Sequence, residues 1–336
     1  MGETAAMSAR RRRWISLPVT LVALVVASCG GGAGGGGGDS AADGAAGGFV
    51  AQVASFELVA GRDQRFLAAL AGEGTGTVVS FGQVDLQFSY LGTREQPVDP
   101  PEPRSSAEAS FLPIPGEQID PAAAGPREVN PSEGLGVYAA EPVRFDTAGF
   151  WGVEVQARIE GRTVRAKTAF EVYAEPQLPF PGQPSPRTEN PVAGAAGVEP
   201  AAIDSRARGG QPVPDPDLHT TSVAEALAAG RPTVVVVSTP VYCVSRFCGP
   251  VTDSVEELAG RYGEQAAFVH LEVWQDFEAK VVNPAAAEWI QPKDRGDTQE
   301  PWVFLVGGDG IVRQRFDNVV SDAALEAAVK KLVAQA

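Results

Sequence analysis

A chain of 336 residues exceeds the roughly 250 residues at which a single hydrophobic core stops growing, so more than one folded unit is expected. With 27 Lys+Arg against 42 Asp+Glu the net charge is −15, and no basic patch occurs beyond the first 13 residues, which excludes nucleic acid as a partner. Three cysteines and two histidines, His219 and His270, are too few for a disulfide-built scaffold or a histidine-rich metal site, and no cofactor motif is present.

At the N-terminus, Arg10 to Arg13 precede an apolar run from Trp14 to Ala27. Its 14 residues fall short of the ~20 needed to span a bilayer, so the run reads as a signal peptide. It ends in Val26-Ala27-Ser28-Cys29, which resembles the lipobox of bacterial lipoproteins. The resemblance implies that residues 1–28 are removed, that the Cys29 thiol carries lipid, and that the chain is anchored at the extracytoplasmic face of the cell membrane. The alternatives are a plain secretory signal with an incidental cysteine and an uncleaved anchor. The Arg12-Arg13 pair leaves export by the Sec or the twin-arginine route open. Cleavage leaves 23 basic against 41 acidic side chains, a net charge of −18. An anionic membrane repels such a chain, so the lipid has to hold it there. Residues 29–48 follow as a tether, with 11 glycines from position 30 onward and a reach of roughly 25 Å.

From Phe49 to Tyr173 the dominant hydrophobic period is two. Trp151, Val153, Val155, Ala157 and Ile159 alternate with polar or small residues. A turn at Glu160-Gly161 then leads into Val164, Ala166, Thr168, Phe170 and Val172. The runs Val84, Leu86, Phe88, Tyr90 and Phe49 to Leu58 add to a count of five to seven short antiparallel strands, which predicts a sandwich over residues 49–175. Gly136-Val137-Tyr138 and Gly149-Phe150-Trp151-Gly152-Val153-Glu154-Val155 resemble the closing strands of bacterial immunoglobulin-like exported modules, a likeness that concerns fold alone. Residues 97–131, with nine prolines, read as a polyproline-like or disordered loop. No acid/base pair or nucleophile stands out in this block, which reads as a spacer or interaction module. Residues 176–216, with ten prolines, read as a semi-rigid linker to the next domain.

Residues 217–336 alternate in type. Ser222-Val223-Ala224-Glu225 fits a capping box opening a short helix that Gly230 ends. Thr233 to Val237 is a continuous β-branched run, as in a buried parallel strand. Val251, Val255, Leu258, Ala259 and Tyr262 share one face of a helix with Pro250 in its first turn. Ala267 to Val273 is a further strand, and Trp302 to Val306 and Ile311 to Phe316 flank Gly307-Gly308-Asp309-Gly310 as a hairpin. Ser321 and Asp322 cap a last helix carrying Leu325, Val329 and Leu332.

This order, with Tyr242-Cys243-Val244-Ser245-Arg246-Phe247-Cys248-Gly249-Pro250 after the first strand and Glu300-Pro301-Trp302 before the hairpin, resembles the thioredoxin-like superfamily. The fold expected overall is therefore an all-β immunoglobulin-like sandwich followed by an α/β thioredoxin-like domain. The resemblance implies a cysteine pair at a helix N-terminus and a cis-proline, Pro301, that helps to pair with an extended substrate. In the preferred register Tyr242-Cys243 takes the place of the family's Trp-Cys, Cys243 is the nucleophile and Cys248 the resolving thiol, with four residues between them where two are usual. A second register aligns Phe247-Cys248-Gly249-Pro250 with Trp-Cys-Gly-Pro and leaves Val251 at the second cysteine. Backbone N–H groups at the helix start, and Arg246, favour a thiolate, most of all at Cys248. Two features depart from the family: Val237 stands where a buried acid assists proton transfer, and Glu300 places a negative charge beside the site.

The activity implied is thiol–disulfide exchange with thiols or disulfides of exported proteins. The alternative is a non-enzymatic interaction or scaffold lipoprotein in which the pair is a structural disulfide. Copper chaperones of the Sco type share the fold, but here the further ligand is missing: His270 lies in a strand core pattern and His219 at the domain's edge. Oligomeric state and the direction of electron flow are not encoded in any motif.

Overall fold

The computed structural model describes residues 48–117, 125–292 and 296–335. The first half is built from strands β1 (Phe49–Val53), β2 (Asp63–Gly72), β3 (Val78–Ser80), β4 (Gln83–Gly92), β5 (Pro97–Pro113), β6 (Arg127–Val129), β7 (Gly136–Arg144), β8 (Gly149–Ile159) and β9 (Arg162–Val172). They form one large antiparallel sheet in the order β6-β3-β2-β7-β5-β4-β8-β9, with β1 paired to β2. Alternation decides which side of each strand is dry. Val84, Leu86 and Phe88 of β4 are buried while Gln83, Asp85 and Gln87 are exposed, and on β8 the residues from Trp151 to Ile159 follow the same rule. The inward side chains meet in one core, where Phe66, Phe88, Phe145, Trp151 and Phe170 stack edge to face. Between β8 and β9, Ile159 faces Arg162 across a two-residue turn. Glu160 and Gly161 both have positive φ there, 49° and 80°, the geometry that suits the right-handed twist of a hairpin.

Among the described residues nine strands stand where five to seven are expected, and the largest difference is the proline-rich stretch 97–131. Residues 97–113 are the 17-residue strand β5 and 127–129 are β6; residues 118–124 lie outside those described. The prolines are tolerated because of where they fall. Pro97 and Pro103 pair with β4, while β7 pairs only with Ser110 to Pro113. The proline-bearing part thus has a neighbour on one side alone, where a missing N–H breaks no ladder. Strand β2 has no clean alternation because both its faces are covered. Phe66 and Ala68 enter the main core, and Leu67 packs the other way beside Val137, Phe247 and Val319.

The second half contains α1 (Val223–Ala228), β10 (Thr233–Ser238), α2 (Cys248–Tyr262), β11 (Ala267–Glu272), a small hairpin β12 (Trp274–Asp276) and β13 (Val281–Val282), α3 (Pro284–Ile290), β14 (Trp302–Val306), β15 (Val312–Asp317) and α4 (Asp322–Val333). A smaller mixed sheet runs β11-β10-β14-β15, with β10 and β11 parallel and the other pairs antiparallel. Every residue of β10, β11 and β14 is buried, so alternate side chains feed two cores. Val234, Val236, Val303 and Leu305 meet α2 and α4 on one face. Val235, Val237, Trp302 and Phe304 meet α1 and α3 on the other. The Ser222 capping box forms as the sequence requires. Among the described residues no helix is long and apolar enough to cross a membrane.

Residues 176–216, expected as a spacer, are docked along the second half. Val312 N–H donates to the Gln183 carbonyl, and Gly182 N–H to that of Val312. Trp289 Nε1 donates to Thr188 Oγ1 at 2.8 Å, and Asp204 and Ser205 are fully buried. Proline rigidity therefore serves here to hold an extended strap against a surface rather than to separate two bodies. The two sheets also touch directly within one compact unit, Gly47–Ala336. Arg65 Nη2 reaches Asp317 Oδ1 at 3.1 Å, Phe56 N–H donates to Asp317 Oδ2 at 2.9 Å, and buried Arg315 pairs with Glu57 at 2.6 Å.

Candidate functional site

Strand β10 ends at Ser238, and Thr239-Pro240 turns the chain into a loop that carries Tyr242 to Phe247 before α2 opens at Cys248. The loop is tied to the scaffold beneath it. Buried Thr252 of α2 bonds Ser238 Oγ at 2.7 Å and donates to the Cys248 carbonyl at 2.8 Å, while Val241 N–H donates to Ser205 Oγ of the strap at 3.2 Å. Cys243 and Cys248 form a disulfide with Cα atoms 6.0 Å apart, inside the normal range for a bridge.

The two sulfurs have different surroundings. Cys248 is completely buried, whereas Cys243 is partly exposed beside Val244, whose side chain is in open solvent. No side chain caps the start of α2. One of its free N–H groups, that of Cys248, points at Cys243 Sγ at 3.3 Å, and Ser245 Oγ lies 3.3 Å from the same sulfur. The helix start thus serves Cys243 rather than Cys248, the reverse of the expectation from chain position alone, because the loop curls its first cysteine over the helix end.

The neighbouring candidates divide sharply. Tyr242 stacks on Phe277 with ring centroids 3.8 Å apart and planes 3° from parallel, and Lys280 Nζ lies 3.4 Å from the centre of the Phe277 ring. The β12–β13 hairpin therefore walls one side of the loop. Phe247 is buried in the opposite direction, in the cluster with Leu67 and Val137 of the large sheet. Arg246 is exposed, with a φ of 67°. The Glu300–Pro301 peptide is cis, and the Pro301 carbonyl accepts from Asn318 N–H at 2.8 Å. Burial, with the nearby Glu272 charge adding to it, pushes the Glu300 carboxyl up to about 7. At neutral pH it is only partly ionised.

Two further groups, around Glu272 and Asp204, lie at the base of the loop. Val237 is fully buried where the resemblance expects an acid, but the neighbouring strand supplies a buried carboxyl at Glu272, paired across from Ser238. Glu272 accepts from Ser205 N–H at 2.7 Å and from Trp274 N–H at 3.2 Å, and burial raises its pKa. An acidic residue ending an otherwise apolar run was the available signal. The two histidines, remote in sequence, come together with Asp204: His270 Nδ1 lies 3.3 Å and His219 Nε2 3.5 Å from Asp204 Oδ2. Burial works against ionisation of Asp204. Arg206, bonded to both carboxylate oxygens, favours the ionised form. Nothing in the local sequence announced this grouping, since its members come from the strap, the loop before α1, and β11. Cys29 lies outside the described residues.

Neither the family models nor the curated proteins compared with this chain contain a match to it.

Proposed function

We propose that the chain is a lipid-anchored extracytoplasmic protein whose C-terminal half, a thioredoxin-like domain, exchanges disulfides with exported proteins through Cys243 and Cys248, next to an immunoglobulin-like module. The observation that carries this reading is the asymmetry of the pair. A partly exposed Cys243 sulfur accepts a helix-terminal N–H, and its disulfide partner Cys248 is buried behind it. A partner thiolate attacks Cys243 Sγ, the Cys243–Cys248 bond breaks, and Cys248 leaves as the thiolate and takes a proton. A second partner thiolate then attacks the partner sulfur of the mixed disulfide and expels the Cys243 thiolate, which the Cys248 N–H stabilises. The partner leaves oxidised and the pair reduced. In reverse, Cys243 attacks a partner disulfide and Cys248 resolves the intermediate. Arg246 adds a positive charge to the exposed side, and no cofactor is required.

A second reading is favoured by Phe247. Its ring is buried against the large sheet, so the disulfide also pins the loop that joins the two halves, as a structural staple would. Thiol trapping in graded glutathione buffers separates the two. Exchange predicts a pair that is reduced above roughly −300 mV and a trapped mixed disulfide in Cys248→Ser; a staple stays oxidised below that potential and traps nothing.

A further inference from the structure

We propose that Asp204, His219 and His270 form a buried structural metal site for a zinc-class divalent cation, which clamps the base of the cysteine loop. The argument begins with His270. Its Nε2 lies 3.2 Å from the Ser238 carbonyl oxygen, which can only accept, so Nε2 carries the proton. In the neutral ring Nδ1 then turns a lone pair toward Asp204 Oδ2, 3.3 Å away. Two electron-rich atoms at that distance repel unless a proton or a metal ion lies between them. His219 Nε2 approaches the same oxygen from a second direction at 3.5 Å. Neither His219 Nε2 nor His270 Nδ1 has a hydrogen bond of acceptable geometry, although both side chains are essentially fully buried.

Without an ion both contacts would need hydrogen, on Nε2 of His219 and on Nδ1 of His270, yet neither nitrogen is placed to donate to the carboxylate with acceptable geometry. One divalent ion satisfies all three atoms, which lie within 4.8 Å of one another. For bonds of about 2.0–2.1 Å the edge of a tetrahedral site is about 3.3–3.4 Å, close to the two distances observed. Asp204 retains a lone pair for the ion. Arg206 donates to Oδ1 from its N–H and Nε at 2.8 and 3.0 Å, and to Oδ2 from Nη2 at 2.7 Å. Each carboxylate oxygen has about two acceptor positions, so the second position on Oδ2 faces the histidines. Two imidazoles and a single carboxylate select zinc and its neighbours over magnesium or calcium, which prefer all-oxygen shells. The Ser238 carbonyl that orients His270 is the outer-shell partner such a ligand normally has.

The burial points to a structural role. Asp204 belongs to the strap, His219 to the loop before α1 and His270 to β11, so the ion would tie three segments together. Two of them adjoin the cysteine loop, through Ser238 and through the bond of Ser205 to Val241.

The test uses the full chain with its disulfide intact, freed of metal with a chelator and titrated with Co(II) as the probe. Expected are one bound equivalent, visible d–d bands of a tetrahedral nitrogen/oxygen site without thiolate charge transfer, and displacement by Zn(II). Affinity should fall at least ~10-fold in His219→Gln and in Asp204→Asn, judged on variants whose circular dichroism matches the parent. X-ray absorption of the zinc-loaded parent, which needs no variant, should count two imidazoles. Absence of binding by the folded parent, unchanged affinity in a folded His219→Gln, or fewer than two imidazoles in the shell would each overturn the assignment. So would a nitrogen chemical-shift signature of a doubly protonated His270 that persists in saturating zinc.

Discussion

Replacing Phe247 by alanine perturbs the point where the cysteine loop and the large sheet meet. The ring is 5% exposed and touches Leu67 and Val137 on one side and Val319 on the other, with Leu112, Ile114 and Leu135 at the margin. Truncating a buried Phe costs about 3–5 kcal/mol, the sum of lost transfer energy and the cavity left behind. Here the cavity walls belong to separate elements that can settle toward one another, so the lower end applies, about 3 kcal/mol. For a unit of this size, Gly47–Ala336, that is a fall in melting temperature of roughly 5 °C. Phe247→Leu keeps most of the volume and should cost less than about 1.5 kcal/mol. Urea unfolding of the oxidised full chain, followed by tryptophan fluorescence and circular dichroism, measures both. A second consequence is chemical. With its anchor gone the loop opens more often, so a small thiol should reduce the disulfide faster in Phe247→Ala than in Phe247→Leu or the parent. A loss below about 1 kcal/mol, or an unchanged reduction rate, would show that Phe247 does not hold the loop to the sheet.

Two further predictions concern charge. Arg315→Met strands Glu57, whose side chain is 2% exposed, as an unpaired buried carboxylate, and should cost about 3–5 kcal/mol; adding Glu57→Gln should recover most of it. An additive double variant in urea denaturation would contradict the pairing. Glu300 gives a pH dependence. Its folded pKa, about 7, stands above its ordinary value of 4.5. Below about 4.5 both folded and unfolded chains hold the proton and there is no penalty. Between the two values only the folded chain holds it, so stability falls as pH rises, and the loss is complete above about 7. Glu300→Gln removes this slope and should gain about 1–3 kcal/mol at pH 8 relative to pH 5. A parent-to-variant gap equal at both pH values would remove burial as the cause.

Legibility in the sequence followed the locality of the forces. The β8–β9 hairpin could be read because alternation and a Glu-Gly turn act over neighbouring residues, and the capping box at Ser222 is complete within four positions. The cysteines could be placed at a helix start for the same reason. Strand β5 could not, because proline is compatible with a strand only when one side lacks a neighbour, and that depends on where β7 stops pairing. Nor could β2, whose second face is dry only because Phe247 and Val319 arrive from the other half.

Local chemistry thus determined a β-rich block, a mixed α/β block and one close cysteine pair. Tertiary structure decided what these do to one another. It docked the proline-rich strap, turned Cys243 toward the helix start and buried Cys248 behind it. It also gathered Asp204, His219 and His270 from three distant segments. The physical reason is that hydrogen-bonded turns and hydrophobic periods are written within a few residues, whereas burial, charge and the direction of a side chain are set by whichever segment packs against it.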